Sequence, residues 1–158
     1  MSVAFTKEQD YEAAAADLPD RPISKHPNLV TREGLAALDE ALLRSRQAFA
    51  AAQVAGGIDV DRSAMARAAR DVRYYAARRA SAELVEGAPK GVVAFGASVT
   101  FLREDGRRQT YRIVGEDEAD PSKGAVSYVS PLARALMGKA PGDSASFAGG
   151  EIEIVAIA

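Results

Sequence analysis

The chain has no cysteine, no tryptophan and a single histidine. Without cysteine it cannot form a disulfide, a thiolate zinc site or a cysteine nucleophile, and His26 alone cannot supply the usual zinc or catalytic-triad arrangements. No stretch approaches the roughly 20 apolar residues that cross a bilayer. The first 20 residues carry five acidic side chains, which is unlike a secretory signal. We therefore expect a cytoplasmic protein with no membrane partner.

The overall charge also argues against a broadly basic surface. The 158 residues carry 20 Lys and Arg against 22 Asp and Glu, a formal net charge of −2, and 47% are apolar. That length and apolar content suit one domain or two small units. Residues 61–80, however, contain six arginines and two aspartates. Any attraction for nucleic acid must come from this local patch.

Three stretches differ in character: an arm over residues 1–29, a helical region over 30–88 and a β-rich region over 89–158. Prolines 19, 22 and 27 favour an extended arm. Thr31 can cap a helix that runs to about Val54, and Gly56 and Gly57 break it. A second helix can start at Asp61. Two helices of similar length joined by a short loop predict an antiparallel hairpin.

The predicted helices each have a distinct apolar side. Leu35, Leu38, Leu42 and Phe49 fall within an arc of about 60° on the first helix, which forms a narrow seam. The second helix places arginines over about 160° of its circumference: Arg62, Arg67, Arg70, Arg73 and Arg78. These arginines either contact RNA or a protein partner, with Tyr74 stacking on a base, or form an ordinary solvated face.

The β-rich region predicts a small antiparallel α+β domain. Four segments have strand character: residues 98–103, 107–114, 125–129 and 151–157. Asp105 and Gly106 between the first two are typical of a hairpin turn. A short helix starts at Pro131, capped by Ser130 and stopped by Gly138, with Leu132, Leu136 and Met137 as its core residues.

Several motifs, in order along the chain, closely resemble those of the GreA and GreB family of bacterial transcript cleavage factors. Residues 95–100, 111–120 and 130–139, with Gly142 and Asp143, are similar to the family's carboxy-terminal domain. Residues 31–35 resemble the start of its coiled coil, and residues 71–75 resemble a segment near the end of that coiled coil. The resemblance covers roughly residues 30–158.

The resemblance implies a fold and a function. It implies a helical hairpin, or coiled coil, followed by an FKBP-like antiparallel α+β domain. In the family, this domain docks at the rim of the secondary channel of RNA polymerase, and the hairpin enters the channel toward the nascent RNA 3′ end. Two acidic residues at the tip help the polymerase hold Mg²⁺ and a water that hydrolyses backtracked RNA. The chain would then have no cofactor of its own, no small-molecule substrate and no catalysis alone.

The tip departs from the family pattern. Asp61 begins the tip motif, but Ala64 and Met65 stand where Glu and Asn are expected. Asp59 can replace the missing acid, because residues two apart point the same way in an extended loop. Asp59 and Asp61 are thus the candidate Mg²⁺ ligands, or else a turn residue and a helix cap.

The helices also look about two turns shorter per arm than the GreA pattern. A shorter hairpin leaves an alternative open: a non-cleaving regulator or inhibitor that occupies the channel. An FKBP-like prolyl isomerase is a third hypothesis.

Two further groups of residues in the β-rich region have alternative interpretations. By resemblance, Ser130, Pro131 and Arg134 belong to the polymerase-docking surface, although Ser130 and Pro131 also suit a purely structural helix start. Four acids form a cluster before Pro121, which we interpret as a charged loop and not as a metal site: Glu116, Asp117, Glu118 and Asp120.

Overall fold

Two units make up the part of the protein that the structure describes. The structure is a computed structural model and describes residues 18–54 and 62–158. Of these residues, 18–25, 38–54 and 62–81 form the first unit, and 26–37 with 82–158 form the second. The second unit therefore includes the start of the first long helix as well as the β-rich region.

A helical hairpin dominates the first unit, as the sequence predicts. Helix α1 spans Arg32–Val54 and helix α2 spans Arg62–Ser81. Between them, Arg79 Nε donates to Asp39 Oδ1 at 2.5 Å. Leu38 on α1 and Ala68 on α2 are both buried, so α1 turns part of its predicted apolar seam inward.

The start of α1 is capped and then paired with the chain that follows α2. Thr31 Oγ1 accepts a hydrogen bond from the Gly34 backbone N–H at 3.0 Å, which confirms the predicted cap. Strand β1, Leu29–Val30, runs parallel to strand β2, Glu83–Leu84. This two-residue pairing joins the segment before α1 to the segment after α2, and the sequence did not predict it.

The β-rich region is a five-stranded sheet with a short helix. Strands β3 and β4 span Ser98–Arg103 and Arg108–Val114, β5 spans Ala125–Ser127, β6 spans Ser144–Phe147, β7 spans Gly150–Ile157, and helix α3 spans Pro131–Leu136. The strand order is β5-β4-β3-β7-β6. Three pairings are antiparallel, whereas β4 and β5 are parallel. The fold class is α+β, with a mixed sheet.

One core lies between this sheet and α3. Phe101, Ile113 and Ile154 from the sheet are completely buried, as is Leu136 from the helix. Leu132 is buried beside them, as the sequence predicts. The expectation for Met137 is wrong, because α3 ends at Leu136 and Met137 turns out of the helix, leaving it 37% exposed.

Candidate functional site

The predicted arginines of α2 do not all share one exposed face. Arg62, Arg67 and Arg73 are exposed, and Arg70 is half-buried. Arg78 is only 2% exposed and is one of the largest fully buried side chains among the described residues. We call the first four residues the arginine face. Sequence periodicity could not separate Arg78 from them, because the long apolar stem of arginine tolerates burial when its guanidinium is partnered.

Two tyrosines stand beside the arginine face. Tyr74 and Tyr75 pack edge to face, with ring centroids 5.2 Å apart. The guanidinium of Arg21 lies 3.9 Å from the centroid of the Tyr74 ring and 5.2 Å from that of Tyr75. Arg21 also pairs with Asp71, its Nη1 lying 3.1 Å from Asp71 Oδ1. The side chain that covers Tyr74 thus comes from the arm.

Electrostatics hold the arm residues on α2. Arg73 Nε donates to Asp20 Oδ1 at 2.6 Å, next to the Arg21 contacts. Burial alone lowers the pKa of Arg21, but hydrogen bonds to Tyr75 and Asp71 more than offset this, so the net shift is upward. Arg21 therefore stays fully charged against the two tyrosines. Asp20 and Arg21 carry no signal in the sequence, because nothing in a proline-rich segment specifies a contact about 50 residues away.

The candidate Mg²⁺ ligands Asp59 and Asp61 lie outside the described residues. Ala64 and Met65, at the positions where the resemblance implies Glu and Asn, lie in the first turn of α2 and are half-buried. Within residues 18–54 and 62–158, no group of three or more His, Cys, Asp or Glu side chains could hold a metal ion. The same residues contain no helix with both the length and the apolarity to cross a membrane.

Glu118 from the predicted acidic loop has a structural role that the sequence did not reveal. Its Oε2 accepts from the backbone N–H groups of Thr31 and Gly115, each at 3.0 Å. Its Oε1 accepts from the Thr31 hydroxyl. A Cβ atom at Gly34 would overlap this carboxylate, and one at Gly115 would approach it to 3.0 Å and overlap the Leu29 carbonyl oxygen. Glu118 therefore fixes the start of α1 in the second unit.

The neighbouring acid Asp120 caps a short 3-10 turn, Pro121–Lys123. Its side chain accepts from the backbone N–H of Ser122 at 3.1 Å and from the Ser122 hydroxyl at 2.5 Å. These hydrogen bonds lower the pKa of Asp120. Asp120 thus satisfies its local backbone, whereas Glu118 also accepts from the distant N–H of Thr31.

The candidate docking residues lie at the start of α3. Ser130 Oγ accepts from the Ala133 N–H at 3.2 Å and so caps the helix, while Pro131 occupies its first turn. Pro131 and Arg134 are exposed. The structure thus brings these two side chains onto one short surface segment, with Ser130 as its anchor.

Comparison with known proteins identifies relatives of this chain. The family model "Transcription elongation factor, GreA/GreB, C-term" matches residues 88–158. Transcription elongation factor GreA from Paracoccus denitrificans is 40% identical over 133 residues, which cover 73% of this chain and 84% of that protein. The chain belongs to the GreA/GreB family of transcription elongation factors.

Other similarities to GreA/GreB proteins are more local or more distant. Transcription elongation factor GreA from Alkalilimnicola ehrlichii is 58% identical over 55 residues, but this match spans only 34% of the chain and 35% of that relative. Among solved structures, GreA factor homolog 1 (Gfh1) of Thermus thermophilus aligns over 84% of this chain and 99% of that chain. Its TM-score is 0.40 and its sequence identity 23%.

Proposed function

We propose that this chain binds bacterial RNA polymerase through the secondary channel. The observation that carries the proposal is the 40% identity to a GreA protein over 84% of its length, together with a hairpin and a sheet domain in the structure. The hairpin would enter the channel. The sheet domain would dock at its rim through Pro131 and Arg134, held by the Ser130 cap.

We further propose that Asp59 and Asp61 promote cleavage of backtracked RNA. Two carboxylates supply hard oxygen ligands, but they are too few for an octahedral Mg²⁺, so groups of the polymerase and water would complete the coordination. Mg²⁺ held in this way stabilises the attacking and leaving oxygens of phosphodiester hydrolysis. The chain would thus complete the catalytic centre of the polymerase and would not catalyse alone.

The arginine face supports a role beside the tip. Arg62, Arg67 and Arg73 are exposed on the helix that follows the tip loop. Exposed arginines attract phosphates, and an adjacent tyrosine ring provides a stacking surface for a base. We assign this face, with Tyr74, to the 3′ end of the nascent RNA. Arg78 is excluded from it because its side chain is buried.

One observation favours a second candidate function, a non-cleaving regulator that occupies the channel. Ala64 and Met65 stand where the family motif has Glu and Asn, so a side chain expected to act at the tip is absent. A factor of this kind would bind the polymerase and block the channel without supplying Mg²⁺ ligands. The two candidates differ in one measurable product, the short RNA fragment released by cleavage.

The experiment uses a backtracked elongation complex with 3′-labelled RNA, Mg²⁺ and the full chain. We expect short 3′ fragments with the wild-type chain and at least a tenfold slower release with D59N/D61N, because the amide variants lose the anionic ligands. The matched control is D105N/E153Q, which removes two negative charges from exposed residues of the sheet domain. Polymerase binding is measured in parallel by competition with a labelled wild-type chain.

The outcomes separate the candidates. Fragments from the wild type and the control but not from D59N/D61N, at equal binding, support cleavage by the tip acids. Binding without fragments from any of the three proteins supports the non-cleaving regulator. Absence of binding by the wild-type chain contradicts both.

A further inference from the structure

The arm segment Leu18 to Lys25, which we call the strap, places two charged groups on α2, one on an arginine and one on a tyrosine ring. The Asp20 carboxylate lies on Arg73 at 2.6 Å, and the planar Arg21 guanidinium covers the Tyr74 ring at 3.9 Å. A nucleotide of single-stranded RNA would present a comparable pair to this surface, an anion and a flat group. Its phosphate would meet the arginine, and its flat base would stack on the tyrosine.

We propose that the strap competes with single-stranded RNA for Arg73 and Tyr74, so that the strap must leave α2 before RNA contacts this part of the arginine face. The proposal rests on the RNA contact assigned to this face above. Asp20 imitates the phosphate and Arg21 imitates the base. The strap is therefore an intramolecular inhibitor of RNA binding.

The strap contacts are of the kind that a ligand can displace. The Asp20 and Arg73 side chains are 70% and 50% exposed, and those of Arg21 and Asp71 are 35% and 38% exposed. Ion pairs this open to water are weak and screened by salt. Residues 18–28 form no helix or strand. Release of the strap therefore breaks side-chain contacts without breaking the backbone hydrogen bonds of a helix or sheet.

Because the strap belongs to the same chain, weak contacts suffice to hold it on α2, and Asp71 limits the gain in RNA affinity when the strap is released. A segment attached to the same chain is present at a high local concentration, so it can cover α2 despite weak contacts. RNA then binds only to the fraction of molecules in which the strap is released, which raises its apparent Kd. Release also exposes Asp71, whose negative charge opposes a phosphate. We therefore expect a moderate effect, about three- to tenfold in affinity.

The experiment compares the wild-type chain with D20N/R21Q, which removes both contacts without changing the net charge. Binding of a fluorescein-labelled ten-nucleotide oligo(A) RNA is followed by anisotropy at low salt. The control is D105N/R107Q, which breaks an exposed ion pair of 2.6 Å in the sheet domain with the same change of charges. Far-ultraviolet circular dichroism verifies that each variant keeps its helix content.

We expect D20N/R21Q to bind RNA three- to tenfold more tightly than the wild type and the control to bind like the wild type. Adding R73Q/Y74L should abolish the gain. A folded D20N/R21Q with unchanged or weaker binding overturns the proposal. If R73Q/Y74L weakens binding while D20N/R21Q has no effect, only the strap proposal fails. If R73Q/Y74L changes nothing in either background, the RNA contact of this face fails as well.

A second readout follows the strap directly. The chain has no cysteine, so a nitroxide can be attached at one position by K25C, where the native lysine is exposed. Addition of oligo(A) should sharpen the lines of the nitroxide's electron paramagnetic resonance spectrum, because a released strap moves faster. A spectrum that stays unchanged when RNA is bound overturns displacement.

Discussion

The Glu118 carboxylate accepts a hydrogen bond from the backbone N–H of Thr31 at 3.0 Å, across 87 positions of sequence. Thr31 is also the cap of α1. The same residue therefore accepts a hydrogen bond from the first turn of the helix and donates one to the loop after β4. The second bond of Glu118 Oε2, from the Gly115 N–H at 3.0 Å, fixes the carboxylate within its own loop. The start of α1 is therefore anchored by one acidic side chain.

We expect Glu118→Ala to lower the free energy of unfolding by about 2 kcal/mol, because it leaves the N–H groups of Thr31 and Gly115 without their charged acceptor. Glu118→Gln should cost less, since an amide oxygen still accepts at one position. Urea unfolding followed by circular dichroism measures both. Glu153→Gln, at an exposed position of β7, controls for the loss of one negative charge. Equal stability of Glu118→Ala and the wild type would contradict the anchoring role.

Gly34 gives a second prediction with an unusual sign. Glycine to alanine within a helix normally stabilises by about 0.5–1 kcal/mol. Here a Cβ would overlap the Glu118 carboxylate, so Gly34→Ala should destabilise the protein by about 1–3 kcal/mol. In a Glu118→Ala background the overlap disappears, and the same substitution should become stabilising. Thermal unfolding of the four proteins of this cycle tests the change of sign.

We expect the stability of the fold to depend on pH through the carboxyl group of Glu33. Its own backbone N–H, then the Arg112 guanidinium and then the Thr31 side chain lower the pKa of Glu33. A lowered folded-state pKa means that ionised Glu33 stabilises the fold above its unfolded pKa of about 4.3. This contribution is lost as the pH falls through the folded-state pKa.

Glu33→Gln should therefore be less stable than the wild type near pH 6, with a difference that shrinks below about pH 4. Urea unfolding over this pH range measures it. Arg112→Gln, which removes a neighbour at 3.5 Å, should raise the pKa of Glu33 toward its ordinary value in an NMR titration. A stability difference that does not depend on pH would contradict this account.

Arg134 tests the proposed docking surface. Because its side chain is exposed on α3, Arg134→Ala should leave the unfolding midpoint within the small range typical of surface substitutions. We expect it to weaken polymerase binding about three- to tenfold, as loss of one interfacial charge does. Arg108→Ala, at an exposed position of β4, is the matched control. Equal binding of both variants would place the docking contact elsewhere.

The elements with strong local signals were predictable. The Thr31 cap and the absence of proline specify α1 as Arg32–Val54, and strand alternation specifies β3 as Ser98–Arg103. The short elements were not. Strand β1 has two residues and β6 has four, too few for periodicity to distinguish them from loops. The parallel direction of β5 depends on the turns between it and β4, which no residue pattern encodes.

The candidate site was predictable only in part. Arginine spacing identifies the face of α2, but which arginine is buried depends on tertiary packing, so Arg78 could not be separated. The Arg21 contact with Tyr74 and the Glu118 contact with Thr31 join distant segments without any local signature. The roles of Asp59 and Asp61 stay predictions drawn from resemblance.

The parallel pairing of β1 with β2 has a consequence for how this protein can vary. Glu83 N donates to Asn28 O at 2.8 Å, and Val85 N donates to Val30 O at 3.0 Å, so the chain departs and returns at adjacent points. The hairpin is thus inserted in the sequence of a unit whose two flanking segments are hydrogen-bonded to each other. Whole turns of helix can be added or deleted in matching numbers from both helices while this pairing is kept. A series of such length variants would test how the proposed binding to RNA polymerase depends on the length of the hairpin.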